Sequence, residues 1–107
     1  MTSHSVGLLD FIFRPKKISL RQAYEDAASE IEAFVEGRGG EWDWDDFTST
    51  SKPDAFLESV RNRCDAVYDE FPATQKGRYC SDEGFDVLRS LARDVRERLK
   101  SIPEENA

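Results

Sequence analysis

Apolar residues recur at the spacing of an α-helix in three separate stretches of this chain. Leu20, Tyr24, Ala27, Ile31, Phe34 and Val35 fall on one face and predict a helix over residues 20–36. Ser19 and Gln22 have the form of a capping box, in which the hydroxyl accepts from a free backbone amide and the glutamine returns the bond. Gly37, Gly39 and Gly40 follow, and glycine takes the left-handed turn of a helix end without strain. A second stripe, Phe56, Leu57, Val60, Cys64, Val67, Tyr68 and Phe71, predicts a helix over residues 53–71. Ser51 is its expected cap, Pro53 suits its first turn and Pro72 ends it. A third stripe, Phe85, Leu88, Leu91, Ala92, Val95, Leu99 and Ile102, predicts a helix that begins after the N-cap Ser81 and stops before Pro103. Asp82 and Glu83 suit the positive end of its dipole.

No period-two alternation competes, so the pattern predicts an all-α fold, a three-helix bundle of amphipathic helices. Residues 1–18 form a short N-terminal arm, residues 19–102 the three-helix domain and residues 103–107 a disordered tail. Residues 41–52 read as a loop. In an extended chain its Trp42 and Trp44 share one side, and Asp43 and Asp45 the other. The indoles then press on the helices, or a partner, while the carboxylates face water.

The 107 residues suit one domain, and 38% hydrophobic content supplies a core that a disordered chain lacks. No apolar run reaches the roughly 20 residues that span a bilayer, so no transmembrane segment is expected. Val6 to Phe13 is apolar, but Asp10 interrupts it and Arg14, Lys16 and Lys17 follow it, the reverse of a secretory signal. A cytoplasmic protein is therefore expected. In that reducing compartment Cys64 and Cys80 stay thiols, and Cys64 serves as a small core hydrophobe. The net charge is −7. It is concentrated in residues 19–50, where nine acidic side chains meet two basic ones, whereas the arm carries three basic and one acidic. Such a surface repels nucleic acid and attracts a basic partner.

Chemistry is thinly represented. The only histidine, His4, lies in the arm, and no nucleophile–base spacing or glycine-rich phosphate loop is present, so neither catalysis nor a cofactor is expected. The cysteines lack metal-ligand spacing. Asp43, Asp45 and Asp54 match three positions of a calcium loop, but Phe47 and Thr48 occupy positions that need a ligand and a glycine. No metal site is assigned. Arg89, Arg93, Arg96 and Lys100 form a basic stripe on the third helix, expected to face the acids of the first helix or the Trp/Asp loop.

The segment Gly39-Gly-Glu-Trp-Asp-Trp-Asp-Asp-Phe-Thr48 resembles one found in small bacterial proteins without an assigned activity. Phe56-Leu-Glu-Ser-Val-Arg61 and Tyr79-Cys-Ser-Asp-Glu-Gly84 match that pattern loosely, so the resemblance spans residues 19–99. It implies no catalytic residue. The reading that follows is a non-catalytic protein–protein interaction domain, of adaptor or immunity/inhibitor type. Its expected partner-binding residues are Trp42, Asp43, Trp44, Asp45 and Asp46, with Glu25, Glu32 and Glu36 of the first helix. The alternative is a small-ligand or divalent-cation module at Asp43–Asp46. The arm, with Leu8, Leu9, Phe11, Ile12 and Phe13, is read as a packing or homodimer contact.

Overall fold

The computed structural model describes residues 18–40 and 43–103, so the expectations for the arm, the tail and Trp42 lie outside the described residues. The described secondary structure is all helical: α1 Leu20–Glu36, α2 Asp43–Ser49, α3 Ala55–Glu70 and α4 Asp82–Leu99.

The caps explain the boundaries. Ser19 Oγ accepts from Gln22 N at 3.0 Å, but the Gln22 side chain donates forward to Asp26, leaving the capping box half made. Gly37 closes α1 at φ +75° and donates to Ala33 and Phe34 carbonyls. Asp54, rather than Ser51, caps α3: its Oδ1 accepts from Leu57 N at 2.9 Å. The other carboxylate oxygen accepts from the buried Tyr24 hydroxyl at 2.6 Å, which joins the starts of α1 and α3. Ser81 caps α4 as expected.

α4 packs against both α1 and α3. Arg21, at the start of α1, donates to the Ile102 carbonyl beyond the end of α4, and Phe34, at the end of α1, stacks on Phe85. The two helices are therefore antiparallel. Arg98 lies over Phe56 while Ser81 N bonds the Phe71 carbonyl, so α3 is antiparallel to α4 as well and parallel to α1. A connection between parallel neighbours must run back along them, and α2 lies on that return path, packed on α1 and α3. Tyr24, Ile31, Leu57, Cys64, Val67, Leu88 and Val95 fill the interior. Tyr68, expected in the core, is 58% exposed and leans on Tyr79 instead.

The expected loop is thus a helix in its central part. Trp44, Phe47 and Thr48 stand at helical spacing and are buried, while Asp43, Asp45 and Asp46 face outward. The alternation Trp-Asp-Trp-Asp resembled an extended strand, but burial of Trp44 with Phe47 rewards the helical repeat. Three acids in the first turn also favour it, because they meet the positive end of the dipole.

Candidate functional site

The packing of α1 sorts its acids onto two sides. Glu25, Ser29 and Glu32 recur at helical spacing along one flank of the core-facing stripe, and Ala23, Asp26, Ala27 and Glu30 along the other. The first flank meets α4. Arg96 forms a two-pronged bond with Glu32, at 2.7 and 2.8 Å, and reaches Glu25 at 2.9 Å. The hydrogen bonds from Arg96 hold the Glu32 carboxyl below the usual range, and Glu32 and Glu25 push Arg96 up. Glu36 pairs with Arg38 at 2.7 Å. Glu25, Glu32 and Glu36, expected to meet a partner, thus already hold cations of their own chain.

The second flank meets α2. Its alanines leave room for the short helix, whose Phe47 and Trp44 anchor it. The Trp44 indole is 7% exposed and stacks on Phe34 at 4.1 Å, with Tyr79 edge-on to both rings. Trp44 is therefore a core residue rather than a contact surface. Its Nε1 is buried without a hydrogen bond of good geometry among the described residues. At the other end, Arg61 of α3 donates to the Thr48 carbonyl and to Glu58, and Glu58 accepts from Lys52 N. These bonds hold the Glu58 carboxyl down at about 2.

With α2 so fixed, Asp43 and Asp46 stand beside Asp26 and Glu30 across a groove of about 270 Å³. Ala23, Ala27, Phe47, Ile18 and Pro53 supply its apolar lining. Asp45 lies on a different side of α2 and does not line it. None of the four carboxylates has an ion-pair partner among the described residues. Asp26 accepts from Gln22 Nε2, and Asp43 from Gly40 N at 2.8 Å. Lys52 is the groove's one described cation, and its ammonium sits 4.3 Å from the Phe47 ring centre. Burial, then the charges of Asp43, Asp26 and Asp46, raises the Glu30 carboxyl above its usual range. Sequence reasoning missed Asp26 and Glu30. The available signal was their i,i+4 spacing beside Ala23 and Ala27, a stripe of small residues that a second helix approaches closely.

A larger groove, of about 770 Å³, runs between α1 and α4 and holds the basic stripe. Its charges are mostly matched. Arg89 pairs with Asp86, Lys100 with Glu97 and Arg96 with α1, leaving Arg93 alone without an ion pair among the described residues. The expected internal pairing with α1 thus runs through Arg96.

No family model, curated protein or solved structure matches the chain. The resemblance of residues 39–48 gives the site no residue roles.

Among the described residues no group of three or more His, Cys, Asp or Glu side chains is arranged to hold a metal ion. Both cysteines are buried, and burial pushes the Cys64 thiol up to about 12, far from an activated nucleophile. No described helix is long and apolar enough to cross a membrane.

Proposed function

We propose that this protein is a non-catalytic interaction domain that receives a basic segment of another protein in the groove between α1 and α2. The observation that supports it is the set of four carboxylates, Asp26, Glu30, Asp43 and Asp46, none of them in an ion pair among the described residues, around an apolar floor where Lys52 is the one described cation. Holding like charges together opposes folding. α2 nonetheless stays docked, through its aromatics and Arg61. A Lys or Arg side chain matches both parts of such a groove, its methylenes lying on Phe47 and its charge among the acids. The reading moves the partner site from Trp42, Trp44, Glu25, Glu32 and Glu36 to Asp26, Glu30, Asp43 and Asp46.

In this reading α1, α3 and α4 form a three-helix bundle with α2 as a strap, within one cytoplasmic domain. An adaptor and an inhibitor covering a basic active site both fit it.

The test is affinity capture from lysate of the source organism. Wild type is compared with a folded variant carrying Asp26→Asn, Glu30→Gln, Asp43→Asn and Asp46→Asn. A protein retained by wild type and lost by the variant, in a salt-sensitive manner, supports the groove. Identical captures with both chains refute it.

A further inference from the structure

Lys52 has a setting that neither of the other described lysines shares. Its backbone is fixed, because Lys52 N donates to Glu58 at 2.8 Å. Arg61 holds that same carboxylate and also the Thr48 carbonyl near the end of α2. The Lys52 side chain is half-buried in the groove lining, with its ammonium 4.3 Å from the Phe47 ring centre. Glu30, Asp46 and Glu58 act on it from α1, α2 and α3, yet the ammonium forms no ion pair or hydrogen bond among the described residues. Lys76, by contrast, is exposed, and Lys100 is exposed and pairs with Glu97. A desolvated amine gives up its proton more readily than a hydrated one, and the neutral amine is the nucleophile. Burial, then the charge of Arg61, lowers Lys52 below its ordinary value against the pull of Asp46, Glu58 and Glu30. The Phe47 ring favours the ammonium too, though weakly where the site is open to water.

We propose that Lys52 is an acylation site, at which an acyl thioester modifies the groove and changes its charge. The neutral amine attacks the thioester carbonyl carbon. A C–N bond forms, the C–S bond breaks, and the sulfur leaves as a thiol carrying the proton lost by nitrogen. The exchange needs no oxidant or reductant. Asp26, Glu30, Asp43 and Asp46 repel an anionic donor such as an acyl phosphate, which favours a donor whose reacting end is uncharged. The product amide carries no charge. The groove thereby loses its one described cation and keeps its four carboxylates. The consequence rests on the partner reading above: a basic segment meets one like charge fewer and binds more tightly. The acylation itself does not depend on that reading.

The full chain is treated with S-acetyl-N-acetylcysteamine, a small neutral thioester, and acetylation at each lysine is followed by peptide mass spectrometry. Near pH 7, Lys52 is expected to react at least about threefold faster than Lys76 and Lys100. The ratio is expected to fall as pH approaches the ordinary lysine value of 10.5, where the exposed amines are free as well. Acetyl phosphate is expected to show a smaller preference for Lys52. In affinity capture from lysate, Lys52→Gln lacks the charge as the amide does. It is expected to retain the basic partner at higher salt than wild type, and Lys52→Arg is not.

A Lys52 that reacts no faster than Lys76 and Lys100 overturns the proposal. So does a ratio that stays constant with pH, since access alone then accounts for it. An equal preference with acetyl phosphate overturns the choice of a thioester. Labelling of Lys52 with capture unmoved by Lys52→Gln overturns the change in binding. No labelling preference alongside intact capture removes the acylation site and leaves the partner reading standing. A clear preference with no captured partner does the reverse.

Discussion

Gly84 shows how closely single residues are specified. It lies in the first turn of α4, where a Cβ would stand 2.7 Å from Cys80 Sγ and 2.9 Å from Phe71 Cβ. Both contacts are shorter than carbon atoms tolerate, and the Phe71 contact involves an atom next to the backbone, which cannot swing away. Ser81 N also bonds the Phe71 carbonyl at 2.9 Å, so the turn that would have to yield is itself fixed. Gly84→Ala is expected to cost about 1–3 kcal/mol, the range for overpacking, despite alanine's better helix propensity. Urea denaturation measures it, and an unchanged or raised midpoint would show that the turn gives way freely.

At the scale of elements, α2 is the one that cannot stand alone. Seven residues are far below the length at which an isolated helix is stable in water, so its contacts hold it. Trp44 is the largest of them, sandwiched with Phe34 and Phe47. Trp44→Ala is expected to cost about 3–5 kcal/mol in denaturant unfolding, as for other large aromatics removed from a core. α1, α3 and α4 keep their own shared core, so far-ultraviolet circular dichroism should retain most of its helical signal below the transition. A loss under about 1 kcal/mol would mean that the indole is at the surface after all. Because α2 carries Asp43 and Asp46, the same substitution should abolish capture of the proposed basic partner.

Over the whole molecule, charge is arranged in two opposed ways. On the α4 side of α1, carboxylates are matched, and they stabilise the fold while ionised. The folded chain holds Glu32 below the usual carboxyl range and Glu58 at about 2. Stability from a lowered carboxyl is present above its unfolded value and is lost as pH falls, here from about 4.5 toward about 2 for Glu58. Glu30 has the reverse sign. Its raised carboxyl means that the native state holds the proton more tightly than the unfolded chain, so this group reduces stability as pH rises through its range. At pH 7 Glu30→Gln is therefore expected to stabilise by about 0.2–0.5 kcal/mol, the scale of a like-charge i,i+4 contact such as that with Asp26. Glu32→Gln is expected to destabilise by about 0.2–1 kcal/mol, the scale of an exposed ion pair. Thermal unfolding at pH 7 and at falling pH checks both signs: the Glu30 difference should fade first, as pH falls through its raised range, and the Glu32 difference only below the usual carboxyl range, as pH falls through its lowered one. Equal signs for the two variants would contradict the division of α1 into a matched and an unmatched flank.

The sequence by itself determined the three long helices and most of their ends. Ser19, Ser81 and Gly37 act on amides and carbonyls three or four residues away, and the apolar stripes act through a fixed helical period, so this information is local. Burial of Cys64 followed from the same stripe. Asp43 to Phe47 was less legible, because so short a run of alternating aromatic and acidic residues satisfies a strand pattern and a helix pattern alike. Only its place between α1 and α3 selects the helix. The tertiary structure alone decided which acids are already matched. Glu25 and Glu32 differ from Asp26 and Glu30 by a fraction of a helical turn, and the small residues Ala23 and Ala27 beside the second pair say that a helix can approach there, not which charges it brings. The difference is made by Arg96, more than sixty residues away, which reaches one flank of α1, and by α2, which brings two further carboxylates to the other.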